Sequence, residues 1–435
     1  MKVFLLTVGL LFGLFVVFLF TSDFSARSFI FEQSNVSKVY FADHISPAHK
    51  AVIDLFNKKH AGKIEVIPVN LTFSKFSTNE RKELLARSLR SKSDRLDVFS
   101  VDYIWTPRFA KWCEDLNPYF PTAAQQNIIS PAMRSCVDDG RLVAMPLYID
   151  IGVMYYRKDI IERLPNADVI SKKIQGSISW NELIDLRNTL HYQNKPFYVF
   201  QAYDYEGLIC NYFEIINSLE PTFFSKNTIN LRSDVAKRSL QYLVDLVHRQ
   251  HISPLDVTEF DENKSYEYML EHDAVFVRGW PNFVENFRKI YFDTSKFVHI
   301  GRAALPHFPG QQPTSVYGGW NLMVSKFSTK KEAAIEFIRF LQTEESQKMM
   351  FEMGGYIPVN KKIYIDSSYM SNYPDLGYYK GLVDRGFHRP FIEDYTRISD
   401  IISYYIHRAI KKEITVDEAL EKASVMIDSK ALLIR

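Results

Sequence analysis

The chain is poor in cysteine, in net charge and in repetition. Only Cys113, Cys136 and Cys210 occur among its 435 residues. No CxxC pair and no Cys/His cluster at zinc spacing is present, which excludes the usual structural zinc sites. Cys113 and Cys136 flank a loop-like stretch and could join as a disulfide, whereas Cys210 lies in an apolar segment and reads as a buried free thiol. A formal net charge of +2 is close to balance, so neither nucleic acid nor an acidic surface is indicated as a partner. There is no internal repeat and no low-complexity tract. The pair Gly318-Gly319 has neither the spacing nor the context of a dinucleotide-binding loop, and nothing calls for a metal or a cofactor.

What is present describes a large globular body behind an apolar leader. A hydrophobic content of 46% and a charged content of 24% are ordinary, and the length suffices for two domains with sizeable cores. Val3–Phe20 carries no charge and is followed by Thr21-Ser22-Asp23, the pattern of a signal peptide or a membrane-spanning anchor. Cleavage after Ala26 would place Phe24 where a small residue is needed, which favours an uncleaved anchor with the body outside the membrane. Residues 1–26 are therefore set apart from the fold, and residues 27–38 read as a polar stalk.

The body opens as strand, helix, strand: Val39–Ala42, Ala48–His60 with Val52, Leu55 and Phe56 on one face, then Ile64–Val69, the start of an α/β sheet. Thr78–Arg81 opens a further helix. Asp97–Trp105 reads as a strand, and Asp102 falls near its carboxyl end, where open α/β sheets hold ligands; it serves equally as a helix cap before Pro107. Asp139-Gly140 marks a tight turn ahead of the strand Leu142–Met145. Pro146 should stop ladder pairing, and a second strand resumes from Ile151 to Tyr156. Between them Tyr148 and Asp150, two residues apart, point the same way in extended chain. They offer a ring and a carboxylate to a polar ligand with apolar faces, or they are simply part of two core strands and a turn. Asp234–His251 is an amphipathic helix. Trp280, beside Pro281, ends a strand as either core or site. Val298–Pro306 and Tyr317–Ser325 read as strands, the second carrying Gly319 and Trp320.

The segment "DDGRLVAMPLYIDIGVMYYRKDII" resembles "DGKLYALPxxxDxGxLYYRKDLL" of the family-one extracellular solute-binding proteins of ABC importers. Further stretches agree: Asp97–Trp105 with "DVxxxDxxW", Ser179–Leu183 with "TWDEL", Tyr205-Glu206-Gly207-Leu208 with the trehalose/maltose-binding branch, Ala274–Pro281 with "AAFMRNWP", Gly318–Met350, and the closing stretch from Arg389-Pro390. The resemblance covers nearly all of the chain after the leader. Three departures stand out: Ser218–Pro221 replaces a Gly-Gly pair, Glu271-His272-Asp273 replaces a turn glycine, and Asp43–Pro47 lacks a glutamate frequent in trehalose binders.

This resemblance implies an α/β, two-lobed periplasmic-binding-protein fold of type II character with crossing hinge strands. Lobe 1 would take residues 39–145 and 298–350, and lobe 2 residues 146–297 and 351–435. It implies a monomeric, non-enzymatic, cofactor-free receptor outside the cytoplasm, closing on a disaccharide or short oligosaccharide for an ABC permease; the leader, read as an uncleaved anchor, would tether it. By motif, the ligand set would be Arg81, Asp102, Tyr148, Asp150, Trp280, Gly319, Trp320 and Arg389. Arg389 could fork onto two hydroxyls, or instead cap a helix or form a surface ion pair. Tyr and Trp suit sugars, since their faces cover C–H patches while their polar tips hydrogen-bond. The alternatives are a membrane-anchored sugar sensor and an exported glycosidase, the latter needing two carboxylates with pKa values set apart.

Overall fold

The computed structural model describes residues 36–430, except 73, 74, 77, 193, 194, 291–294 and 393, together with 433. The leader and most of the expected stalk lie outside the described residues. Among the described residues no helix is long and apolar enough to cross a membrane.

Among the described residues eleven strands form two main sheets and one small hairpin. In chain order they are β1 (Ser37–Asp43), β2 (Ile64–Asn70), β3 (Val98–Asp102), β4 (Val137–Asp138), β5 (Arg141–Leu142), β6 (Met145–Ile151), β7 (Val153–Arg157), β8 (Tyr198–Val199), β9 (Phe276–Gly279), β10 (Ile300–Ala303) and β11 (Tyr317–Val324). The first sheet has the order β2-β1-β3-β11-β6, the second β10-β7-β9-β8. β1 runs parallel to β2 and β3, while β11 is antiparallel to both β3 and β6. The carboxyl ends of β1, β2, β3 and β6 therefore share one edge with the amino end of β11. In the second sheet, β9 ends opposite the start of β7.

Helices pack on the sheets as their apolar stripes require. Ser46 caps the helix Pro47–Lys59, with Pro47 in its first turn, and Val52, Ile53 and Phe56 are buried beneath it. Phe337 meets Phe41 and Phe56 edge-on, at ring-centre distances of 5.3 and 5.1 Å. Ser179 and Glu182 close a reciprocal cap at the start of the "SWNEL" helix. The expected helix over Asp234–His251 is observed from Asp234 to His248, buried along Leu240, Leu243, Val244 and Val247. Asp273, where the resemblance led to a turn glycine being expected, adopts φ 55° and ψ 36° at the end of the helix Glu262–His272. Its carboxylate accepts from Arg157 at 2.8 Å, which compensates part of the cost of the left-handed conformation.

Several expectations need correction. Asp139 (φ 46°) and Gly140 (φ 74°) form the expected turn, but the hairpin they close is β4–β5, a separate pair. Pro146 does not break pairing: it lies inside β6 opposite Asn321, next to a bulge at Leu147, which has no partner on β11. The crossing falls at Gly152 instead, between β6 in the first sheet and β7 in the second. The reason is steric. A Cβ at Gly152 would lie 2.3 Å from Glu214 Oε1 and 3.0 Å from an Arg278 nitrogen. Gly152→Ala is expected to displace that buried ion pair and to lower stability by about 1–3 kcal/mol, read in urea denaturation; an unchanged midpoint would contradict the steric account.

The second crossing also moves. The strand foreseen at Val298–Pro306 is β10, which pairs with β7 in the second sheet rather than the first. Helix Glu344–Gly354 runs through the expected boundary at residue 350, and Ile357 bridges to Ile149 of β6. The strand foreseen at Asp97–Trp105 stops at Asp102, where a 3-10 turn over Tyr103–Trp105 begins. Finally, all three cysteines are free and buried. Cys113 Sγ meets Met323 Sδ at 3.6 Å and Cys136 Sγ meets Asn321 Oδ1 at 3.3 Å, so each thiol packs on its own residue of β11 and no disulfide joins them.

Candidate ligand-binding cleft

Sheet register assembles the site. Trp320 of β11 stands opposite Asp102 of β3 on one side and Tyr148 of β6 on the other. Directly opposed residues share a face, so Asp102, Trp320 and Tyr148 form one row across three strands. Two residues along β6, Asp150 is opposite Gly318 on that same face. A Cβ on Gly318 would strike the Trp280 ring at 2.8 Å and Asp150 Cβ at 3.1 Å, so the glycine lets the tryptophan that follows β9 lie against Asp150. Residues from both sheets thus meet at the edge where the parallel strands end.

Each cation here is matched. Arg81, on the helix Thr78–Arg90, is fully buried, donates to Asp43 Oδ1 at 2.8 Å and lies over the Trp320 ring at 4.1 Å. Trp320 in turn meets Trp105 edge-on at 6.0 Å. Arg389 reaches across the cleft, donating to Asp102 Oδ1 and to Glu206 Oε1, each at 2.7 Å. It forks onto two carboxylates, one from each lobe, and is neither a helix cap nor a surface pair. Asp102 takes the capping role foreseen for it: its carboxylate also accepts from Ile104 N at 3.0 Å, at the start of the 3-10 turn.

The remaining members wall the cleft with rings. Tyr148 and Tyr356 are tilted at 4.5 Å, and His49 meets Tyr356 edge-on at 5.0 Å. Trp280 lies over the Arg278 guanidinium at 4.0 Å and donates through Nε1 to Glu262 Oε1 at 3.2 Å. Gly319 holds φ 127°, and the space beside it is filled by Tyr148 O and the Tyr103 ring, both within 2.7 Å of an added Cβ. The close approach expected there for a ligand is taken up by the protein itself, and Gly318 is the glycine that faces Asp150 and Trp280.

Sequence reasoning missed several members. Glu206 accepts from Arg389, from Tyr395 Oη at 2.7 Å and from Ser399 Oγ at 2.8 Å. It sits inside the quoted "YEGL" motif, so a signal existed. Arg278, held by two bonds to Glu214 at 2.8 and 3.2 Å, stood in "VRGWP". Asp43, Tyr356 and Glu262 gave no sign, because their roles depend on contacts distant in sequence.

Asp150 is the electrostatic exception. It is 6% exposed, and its Oδ1 is buried with no hydrogen-bond partner. Burial, with the Asp102 charge adding to it, pushes its carboxyl up to about 7, while Arg278 pulls the other way. Between pH 4 and 7 the folded chain therefore holds a proton that the unfolded chain has released, so raising the pH through that window destabilises the fold. Asp150→Asn should remove this dependence. Its stability relative to the parent should rise between pH 4 and 7, by a few kcal/mol at most, at about 1.4 kcal/mol per pH unit. Parallel stability–pH curves for the two proteins would contradict the assignment.

A fold of two α/β lobes, with aromatic rings and ion-paired arginines where the two sheets meet, is that of a ligand-binding protein. Residues 41–348 match the family of bacterial extracellular solute-binding proteins, and the chain belongs to that family. A "probable ABC transporter-binding protein" of Deinococcus radiodurans is 26% identical over 385 residues, covering 85% of this chain and 86% of that one. Among solved structures, maltose-bound MalE3 of T. maritima superposes with a TM-score of 0.80 at 25% identity, over 91% of this chain and all of the other. The GacH receptor of Streptomyces glaucescens (TM-score 0.76, 18% identity, 91% and 98% covered) and the maltotriose-binding protein of Thermus thermophilus (0.71, 17%, 91% and 99%) share the fold.

Proposed function

We propose that this protein is an extracytoplasmic sugar-binding receptor that closes its lobes on a disaccharide or short oligosaccharide of the trehalose/maltose kind and delivers it to an ABC permease. The observation that carries the reading is the row Asp102–Trp320–Tyr148, continued by Asp150 and faced by Trp280 from the other sheet. Rings cover the apolar faces of a sugar, and carboxylates take its hydroxyl protons in strong, charge-assisted bonds. Because both lobes contribute, a ligand favours the closed state, and that differential affinity drives closure. The maltose and maltotriose complexes of structural neighbours support the sugar class. Tethering by the leader and action as a monomer belong to the same proposal.

A thermal-shift screen of the full-length chain in mild detergent, against mono-, di- and trisaccharides, tests it. A ligand of the native state raises the midpoint by mass action, by about 2.7 kcal/mol of stability at a hundredfold excess over Kd. One or a few disaccharides or trisaccharides are expected to shift the midpoint. Silence across the panel, or release of chromophore from aryl glycosides, would overturn the reading, the latter in favour of a glycosidase using the raised Asp150 carboxyl.

A further inference from the structure

Carboxyl groups outnumber guanidinium groups in the cleft. Arg81 is paired with Asp43, Arg278 with Glu214, and Arg389 with both Asp102 and Glu206, so three guanidinium groups face four carboxylates. Two more carboxylates, Asp150 and Glu262, make no ion pair among the described residues, and both flank Trp280. Asp150 Oδ1 is enclosed without a hydrogen-bond partner. Glu262 keeps some exposure and accepts from the Trp280 indole N–H. The two histidines nearby do not supply the missing charge, since burial lowers His49 and brings His44 down to about 4.

We propose, resting on the receptor reading, that the preferred ligand is a cationic saccharide, a sugar carrying an amine whose ammonium sits beside Asp150 and Glu262 at the Trp280 ring. A neutral hydroxyl can donate one bond to Asp150, but it brings no charge to draw off the proton that burial holds there. An ammonium supplies donors for both carboxylates and the charge as well, and an ammonium on a carboxylate is stronger than a hydroxyl there. Aromatic walls also favour a cation through their negative faces. The existing arginines cannot take over this task without abandoning their own carboxylates, and leaving any of those buried and unpaired is costly.

Calorimetric titration of the full-length chain at pH 7 with matched pairs tests this: maltose and trehalose against the same disaccharides with one hydroxyl replaced by an amine. The amino sugar is expected to bind about tenfold tighter or better, the factor that one added charge-assisted bond provides. Asp150→Asn should bring the ratio close to one, and Glu262→Gln should reduce it, while an unchanged far-UV circular dichroism spectrum and urea transition of each variant report an intact fold. Equal or weaker binding of the amino sugars overturns the inference and leaves the sugar-receptor reading standing. A preference that survives both substitutions overturns the placement at Trp280. Failure of every saccharide to bind overturns the inference and the receptor reading together.

Discussion

Arg389→Ala is expected to abolish sugar-induced stabilisation and to lower the stability of the ligand-free protein by about 3 kcal/mol, the low end of the cost of removing one partner from a buried ion pair. The low end follows from what remains. Glu206 would keep the hydroxyls of Tyr395 and Ser399, and Asp102 would keep Ile104 N. What disappears is the fork that spans the lobes at 2.7 Å on each side. Arg389→Lys retains the charge but not the planar fork, so it should satisfy one carboxylate at a time and fall between the two. Urea denaturation gives the first quantity and the thermal shift with sugar the second. A variant unchanged in both would show that the bridge contributes nothing.

Trp320→Ala is expected to cost about 3–5 kcal/mol, the usual range for emptying a large aromatic site in a core. Trp320 is 7% exposed, carries the Arg81 guanidinium on its face and meets Trp105 at its edge. Removing it opens a void and takes from a fully buried arginine the ring that covers it. Ligand binding should vanish along with the platform. Trp320→Phe should recover part of the stability, because a ring remains beneath Arg81, yet should bind sugar more weakly. If alanine bound sugar as well as the parent, Trp320 would be core alone.

Much of this was legible in the sequence because it is local. Asp139-Gly140 declared its turn, Ser179 its cap, and the alternation through Tyr148 and Asp150 their common face. Of the residues marked by motif, Asp102, Trp320, Tyr148 and Asp150 share a face because register fixes neighbours once the strands are placed. Strand ends were harder to read. Pro146 appeared to end pairing, but β6 bulges at the unpaired Leu147 and pairing with β11 resumes at Pro146, which only the partner strand's register reveals. Gly152 marks the true crossing only because Glu214 and Arg278 press on it from distant helix and strand. The pairing of β10 with β7, the roles of Asp43 and Glu262, and the separation of Cys113 from Cys136 are likewise tertiary. Local spacing carries no record of them.

The most direct test of the cleft as the sugar site is a calorimetric titration of the full-length chain with the sugar that gives the largest thermal shift, run beside Arg389→Ala and Trp320→Ala. The parent should show saturable binding at a single site, and neither variant should bind. Saturable binding that persists in both variants would place the sugar elsewhere on the protein and contradict the account.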